Sequence, residues 1–312
     1  MNLANIKILH IDSNHPLLWE QLQQAGFHNE ADFTSSKQEV EAKIENYHGI
    51  VIRSRFKIDK TFLDKATNLQ FIARVGAGLE SIDCDYAKAK GIHLIAAPEG
   101  NANAVGEHAI GMLLSLFNNL NKANNEVKSG QWKREANRGH ELEGKTIGII
   151  GFGNMGKALC QRLLGFGLTI LAYDKYAPAP SPFGADLSDI FQQADIVSLH
   201  IPLTEETQGM VNQEFLSSFK KPIVLMNSSR GPITPLKNLL WGLKQGILSG
   251  LALDVLPNEK INIWSQEEQI LFDQLKSYPN TLFSPHVAGW TTESYIKINS
   301  VLLEKIKHLF SL

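Results

Sequence analysis

The run Lys145-Thr-Ile-Gly-Ile-Ile-Gly-Phe-Gly-Asn-Met-Gly156 constrains this chain more than any other stretch, because a short apolar segment passes directly into glycines spaced Gly-x-Gly-x-x-Gly. Residues 146–150 are rich in β-branched side chains, as a buried parallel strand requires. Residues 154–165 then switch to helical spacing, with Met155, Leu159 and Leu163 in phase. Strand, tight turn and helix in that order make an anion site. Gly151 allows the turn, Gly153 lets a pyrophosphate reach the backbone at the helix N-terminus, and Gly156 lets helix pack on strand. A second strand, residues 168–173, ends at Asp174, roughly 20 residues beyond the glycines, where dinucleotide folds place the acid that binds the adenosine ribose hydroxyls. The ligand read from this pattern is NAD. The charge of Asp174 disfavours the ribose phosphate of NADP, while neighbouring Lys175 pulls the other way.

At 312 residues and 43% hydrophobic content, the chain is long enough for two cores. A formal net charge of −2 supplies no basic excess to hold nucleic acid. Cys84 and Cys160 are its only cysteines and read as free thiols in a reducing compartment, with no metal site. No run is apolar for long enough to span a membrane, and residues 6–12 form a strand pattern in place of a secretory signal. The expectation is a soluble cytoplasmic enzyme.

Residues 6–11, 49–53, 71–75 and 93–96 read as strands, alternating with helices at 17–25, 60–66 and 82–90. This α/β unit has no glycine fingerprint of its own, so it is assigned to the substrate. Two of its strands run into loops that carry Arg53 and Ser54, and Arg74, Gly76, Ala77 and Gly78, and carboxyl ends of parallel strands are where open sheets bind ligands. Residues 105–117 form a helix apolar on more than one face, followed by a basic segment with Trp132, Arg134 and Arg138. Beyond Asp174, strands are expected at 195–200, 222–227, 250–254 and 281–284, with helices at 239–245 and 300–310.

Arg230, Glu259 and His286 each follow one of these later strands. A guanidinium holds and polarises a 2-keto acid, an imidazolium protonates its carbonyl oxygen, and a carboxylate beside the imidazole raises its pKa. On spacing alone, each of the three equally fits an ordinary surface or ion-paired residue.

The resemblance is to the D-isomer-specific 2-hydroxyacid dehydrogenases, over nearly the whole chain. The stretch from Glu141 to Gly156 resembles that family's cofactor loop, and His200-Ile-Pro-Leu-Thr-Glu-Glu-Thr-Gln-Gly-Met-Val-Asn212 its next signature. Three further segments resemble those bearing its catalytic residues: Asn227-Ser-Ser-Arg-Gly231, Ala252-Leu-Asp-Val-Leu-Pro-Asn-Glu259 and Ser284-Pro-His-Val-Ala-Gly-Trp-Thr291. The resemblance implies that Arg230, Glu259 and His286 are catalytic. It also implies cofactor contacts from Gly151, Gly153, Asn154, Met155, Gly156, Asp174, His200, Pro202, Ser228, Ser229, Asp254 and Ala288. The implied fold is a Rossmann-type doubly wound parallel sheet, residues 102–286, inserted in a flavodoxin-like α/β substrate domain formed by residues 1–101 and 287–312. The cleft would close on ligand, and the chain would form a homodimer. Asn154 stands where the family often has Arg, Leu256 and Lys260 where Phe and Pro are frequent, and the segment between Glu259 and His286 looks long.

Within that family, Arg53-Ser54 followed by Arg74-Val-Gly-Ala-Gly78 resembles the D-3-phosphoglycerate dehydrogenases. Arg53, Arg55, Arg74, Arg134 and Arg138 together exceed what one carboxylate needs, which points to a phosphorylated substrate. The chain ends soon after His286, so a C-terminal serine-binding regulatory domain is not expected. The alternatives are a glyoxylate or hydroxypyruvate reductase and a non-catalytic NAD-sensing protein.

Overall fold

The computed structural model describes residues 3–312. The chain divides into two compact units, one made of residues 1–102 and 290–312, the other of residues 103–289.

The first unit opens with β1 (Lys7–His10), α1 (Pro16–Gln24), β2 (His28–Ala31) and α2 (Lys37–Glu41), followed by β3 (Gly49–Ile52), α3 (Lys60–Lys65), β4 (Phe71–Arg74), α4 (Cys84–Ala89) and β5 (His93–Ala96). The strands pair in parallel in the order β2-β1-β3-β4-β5, the flavodoxin-like order. Helix bounds follow the capping residues. Asp59 accepts from the Phe62 N–H at 3.1 Å and Asp83 from that of Tyr86 at 3.1 Å, so α4 starts two residues later than its apolar pattern implies. β3 is wholly buried, because helices cover both faces of the sheet.

Helix α5 (Pro98–Phe117) carries the chain into the second unit and begins seven residues before the apolar stretch that marks it in the sequence. Ala109, Met112, Leu113 and Phe117 lie in the core beside β6 (Thr146–Ile150). Between the two stands α6 (Leu120–Lys128). Then follow α7 (Asn154–Leu163), β7 (Thr169–Tyr173), α8 (Leu187–Gln193), β8 (Ile196–Leu199), α9 (Gln213–Ser217), β9 (Ile223–Asn227), α10 (Leu236–Lys244), β10 (Leu248–Leu253), α11 (Gln266–Lys276) and β11 (Thr281–Phe283). The parallel order is β11-β10-β9-β8-β6-β7. Ala172 of β7 also makes a single parallel bridge to Gly184, on the side of the sheet where the doubly wound order of dinucleotide folds has a further strand. The order reverses between β6 and β8, and the glycine turn sits there, at the carboxyl end of β6.

Helix α12 (Thr292–Leu309) returns the chain to the first unit. Ile298, Leu302, Leu303 and Ile306 pack in its core with Ile8, Leu18, Val51, Phe71 and Ile95. No helix among the described residues is long and apolar enough to cross a membrane.

Candidate active site

The glycine turn is shaped by close backbone contact. Gly151 has φ of +95°, and a Cβ there would lie 2.3 Å from the His200 carbonyl oxygen; one on Gly156 would lie 2.1 Å from the carbonyl oxygen of Gly151. Gly153 differs, since a Cβ there would meet nothing within 4 Å of it. It is the N-cap of α7, whose first turn, Asn154, Met155 and Gly156, receives no side-chain cap. Open space thus faces uncapped N–H groups at a helix N-terminus, the arrangement that takes a pyrophosphate. Asp174 accepts from the Phe152 N–H at 2.8 Å and from those of Tyr176 and Ala177, each at 3.0 Å. Burial pushes its carboxyl up, but these three bonds outweigh that and hold it below the ordinary range, so the acid is charged and fixed beside the glycine turn. Lys175 is ion-paired with Glu206, to which the Tyr176 hydroxyl also donates at 3.2 Å, so its charge is already engaged.

The other residues named for the cofactor fall into two groups. Ser228 Oγ is buried without a hydrogen-bond partner among the described residues, which fits a polar group of the ligand. The remainder are tied within the protein. His200 Nε2 lies 2.9 Å from Ser198 Oγ, and desolvation lowers the ring to about 4, so it is neutral. The Pro202 carbonyl accepts from Thr207 Oγ1 at 2.6 Å, and Ser229 donates through both N–H and Oγ to Asn227 Oδ1, at 2.9 and 2.8 Å. The residues present fit NAD: a pyrophosphate seat at α7, a ribose acid at Asp174 and an orphan hydroxyl at Ser228.

Arg230, Glu259 and His286 all lie in the second unit, on loops after β9, β10 and β11. The Asn227 side chain, fully buried, builds the first loop by donating to the Arg230 carbonyl and to Thr234 Oγ1, both at 3.0 Å. Gly231 lets this loop touch the next, for a Cβ there would lie 1.9 Å from the Leu256 carbonyl oxygen. The Arg230 Nη1 donates to the Ser229 carbonyl at 2.7 Å.

His286 faces Glu259, whose carboxylate oxygens stand 2.9 and 3.0 Å from Nδ1. That bond raises the imidazole pKa; partial burial and the Arg230 charge oppose it, and the net direction is up. With Nδ1 committed to Glu259, Nε2 is the atom left to exchange a proton. The His286 backbone is left-handed, φ +55°, a conformation non-glycine residues adopt at a cost of about 1 kcal/mol or more. Asp254 holds it there. Its backbone carbonyl accepts from the His286 N–H at 2.7 Å, while its carboxylate accepts from Ser284 Oγ at 2.6 Å and from the Val287 and Ala288 N–H groups at 2.9 Å.

Three contributors escape a reading of the sequence for charged triads: Asn227, Ser284 and His108. His108 Nε2, from α5, lies 2.9 Å from Ser284 Oγ and 3.6 Å from Asp254 Oδ1. Asn227 was discoverable as an amide closing an apolar strand. For His108 the sequence holds no signal, because its partner is 176 residues away.

In the first unit, Arg53 and Ser54 follow β3. The Arg53 N–H donates to Asp12 Oδ2 at 2.6 Å, and its guanidinium lies 4.6 Å from the centre of the Trp290 ring. Arg74 folds over Gly76, ahead of Ala77 and Gly78, its Nη1 lying where a Gly76 Cβ would fall and donating to the Val75 carbonyl at 3.3 Å. The surplus of positive charge read from the sequence shrinks here. Arg55 donates to the carbonyls of Ile11, Asp32 and Ser35, and Arg138 pairs with Glu135 at 2.6 Å. Both serve local structure, because backbone carbonyls engage the Arg55 guanidinium and a neighbouring acid engages that of Arg138.

Comparison with known proteins matches residues 110–288, more than half of the chain, to the "D-isomer specific 2-hydroxyacid dehydrogenase, NAD binding domain". A hydroxypyruvate reductase of Thermotoga maritima is 33% identical, covering 94% of this chain and 95% of that protein. A D-3-phosphoglycerate dehydrogenase of Bacillus subtilis is 32% identical over 89% of this chain, which spans only 53% of that longer relative. Among solved structures, the D-lactate dehydrogenase of Aquifex aeolicus complexed with NAD and lactic acid superposes with a TM-score of 0.84 at 25% identity, covering 98% of this chain and 95% of that one.

Proposed function

This chain belongs to the D-isomer specific 2-hydroxyacid dehydrogenases, NAD-dependent oxidoreductases, and from that premise we propose that it interconverts D-3-phosphoglycerate and 3-phosphohydroxypyruvate. The observation that carries the phosphate is Arg53, whose guanidinium makes no hydrogen bond or ion pair among the described residues. Arg74 and the Gly76, Ala77 and Gly78 backbone are the proposed holders of the substrate carboxylate.

NAD, when bound, supplies the hydride acceptor. In the oxidative direction His286 Nε2 takes the proton of the C2 hydroxyl, and Glu259 at Nδ1 stabilises the imidazolium formed. Arg230 orients the carbonyl oxygen as it develops and offsets its charge. In the reductive direction the protonated His286 returns the proton. The proposed assembly is a cytoplasmic homodimer, a reading supported by exposed Leu120, Val127 and Trp132 on and after α6.

A second reading, reduction of hydroxypyruvate or glyoxylate, is favoured by the full-length similarity to the Thermotoga maritima reductase and by the engagement of Arg55 with backbone carbonyls. NADH oxidation followed in parallel with phosphohydroxypyruvate, hydroxypyruvate and glyoxylate separates the two, with His286→Ala as the control. The phosphorylated acid is expected to be turned over with the highest kcat/KM. Equal efficiency with and without phosphate removes the phosphoglycerate reading, and no turnover of any of the three removes the dehydrogenase chemistry assigned to the triad.

A further inference from the structure

Arg53 and Arg55 stand two residues apart in one loop and are used in opposite ways. Arg55 spends its donors on three backbone carbonyls. Among the described residues Arg53 spends none of its side-chain donors; its side-chain contact is the Trp290 ring, 4.6 Å from guanidinium carbon to ring centre. A guanidinium stacked on a ring is held through its face, so the in-plane N–H fork stays available to an anion.

Trp290 is itself held. It directly precedes Thr291, the N-cap of α12, whose Oγ1 accepts from the Ser294 N–H at 3.0 Å. Tyr295, the fourth residue of α12, packs on Trp290 with ring centres 5.3 Å apart, so the two form a hydrophobic staple that fixes the chain's entry into the helix. Tyr295 in turn meets His15, the N-cap of α1, edge-on at 5.6 Å. At its other end Arg53 is fixed by its N–H on Asp12. Half of the Trp290 surface nonetheless remains exposed, at 51%, more than a staple alone requires.

We propose that Trp290 is a positioning residue for substrate specificity: its indole is the platform that presents the Arg53 fork to an anionic group of the substrate. All of these residues belong to the first unit. The inference rests on the reading of the chain as an enzyme of anionic 2-hydroxy acids, and it assigns the selection of the anion to an aromatic residue in the loop that follows the catalytic histidine.

The test is calorimetric titration of 3-phosphoglycerate and of D-glycerate into the NAD-saturated protein, for wild type, Trp290→Leu, Trp290→Phe, Arg53→Ala and the Trp290→Leu/Arg53→Ala double variant, with thermal unfolding alongside. Leu keeps an apolar staple and removes the ring; Phe keeps both. Trp290→Leu is expected to weaken 3-phosphoglycerate binding roughly 3- to 30-fold, the range of a cation–π contact, at an unchanged unfolding midpoint. Trp290→Phe should stay within about twofold of wild type, and the double variant should bind no more weakly than Arg53→Ala. Wild-type affinity in Trp290→Leu, losses that multiply in the double variant, or no binding of either acid to wild type overturns the inference. Equal wild-type affinity for the two acids removes the phosphate reading alone, and the platform is then judged by the same coupling in D-glycerate binding.

Discussion

At the scale of single residues, the site turns on the imidazole–carboxylate pair of His286 and Glu259. Glu259 raises the histidine pKa, so the protonated acid persists to higher pH than an ordinary histidine would allow. In the proposed reaction keto-acid reduction uses that acid form and is expected to decline as pH rises through the raised pKa, while oxidation uses the neutral form and is expected to rise over the same interval. Glu259→Gln removes the largest raising influence and leaves burial and Arg230, which lower the pKa, opposed only by the weaker pull of the Asp254 charge. The alkaline limb of the kcat/KM profile for reduction should then move to lower pH, with kcat reduced by roughly 10- to 1,000-fold. An unmoved limb would remove the role given to Glu259. The residue types and their order were legible in the sequence, but the left-handed backbone of His286 was not, because nothing in Ser284-Pro-His286 announces it. It depends on Asp254, 32 positions earlier, taking the His286 N–H on its carbonyl and the next two N–H groups on its carboxylate.

At the scale of elements, buried strands were the easiest to read. β3, β8 and β9 are buried throughout and, Ser198 and Asn227 apart, carry no polar side chain, as central parallel strands tend to. β2 was not readable, since His28–Ala31 is polar and lies at the sheet edge, where no alternation is imposed. Nor was α11, whose acidic first turn hides a modest apolar face. That helix explains the long segment after Glu259. Its N-terminal Glu268 accepts from Asn258 Nδ2 at 3.0 Å, and the Trp264 indole donates to the Asn258 carbonyl at 2.8 Å, with Trp264 seated on Phe272 and Phe272 on Phe283. The segment braces Asn258, the residue next to Glu259. Trp264→Ala should therefore lower kcat about tenfold while cofactor affinity stays near wild type, as steady-state kinetics beside NADH titration would show. Equal losses in both would instead point to collapse of the second unit.

At the scale of the whole molecule, the two sheets obey the same parallel rule but differ in how the chain supplies them. The second unit is one continuous segment, residues 103–289; the first is completed only by α12. Ile298, Leu302, Leu303 and Ile306 are nearly or fully buried against the first sheet, and their burial contributes on the order of 6–12 kcal/mol, comparable to the net stability of a domain. A chain ending at residue 289 is expected to keep a protease-resistant second unit that still binds NADH, while its first hundred residues are digested. Resistance of both units would contradict this. The split also orders events in time. During synthesis β1 to β5 emerge before the second unit, yet the face of their sheet with Ile8, Val51, Phe71 and Ile95 has only the partial cover of α1 until nearly 200 further residues have been made. The unit whose strands precede the other in the chain is thus the later one to become native, and until then it keeps apolar surface in contact with water.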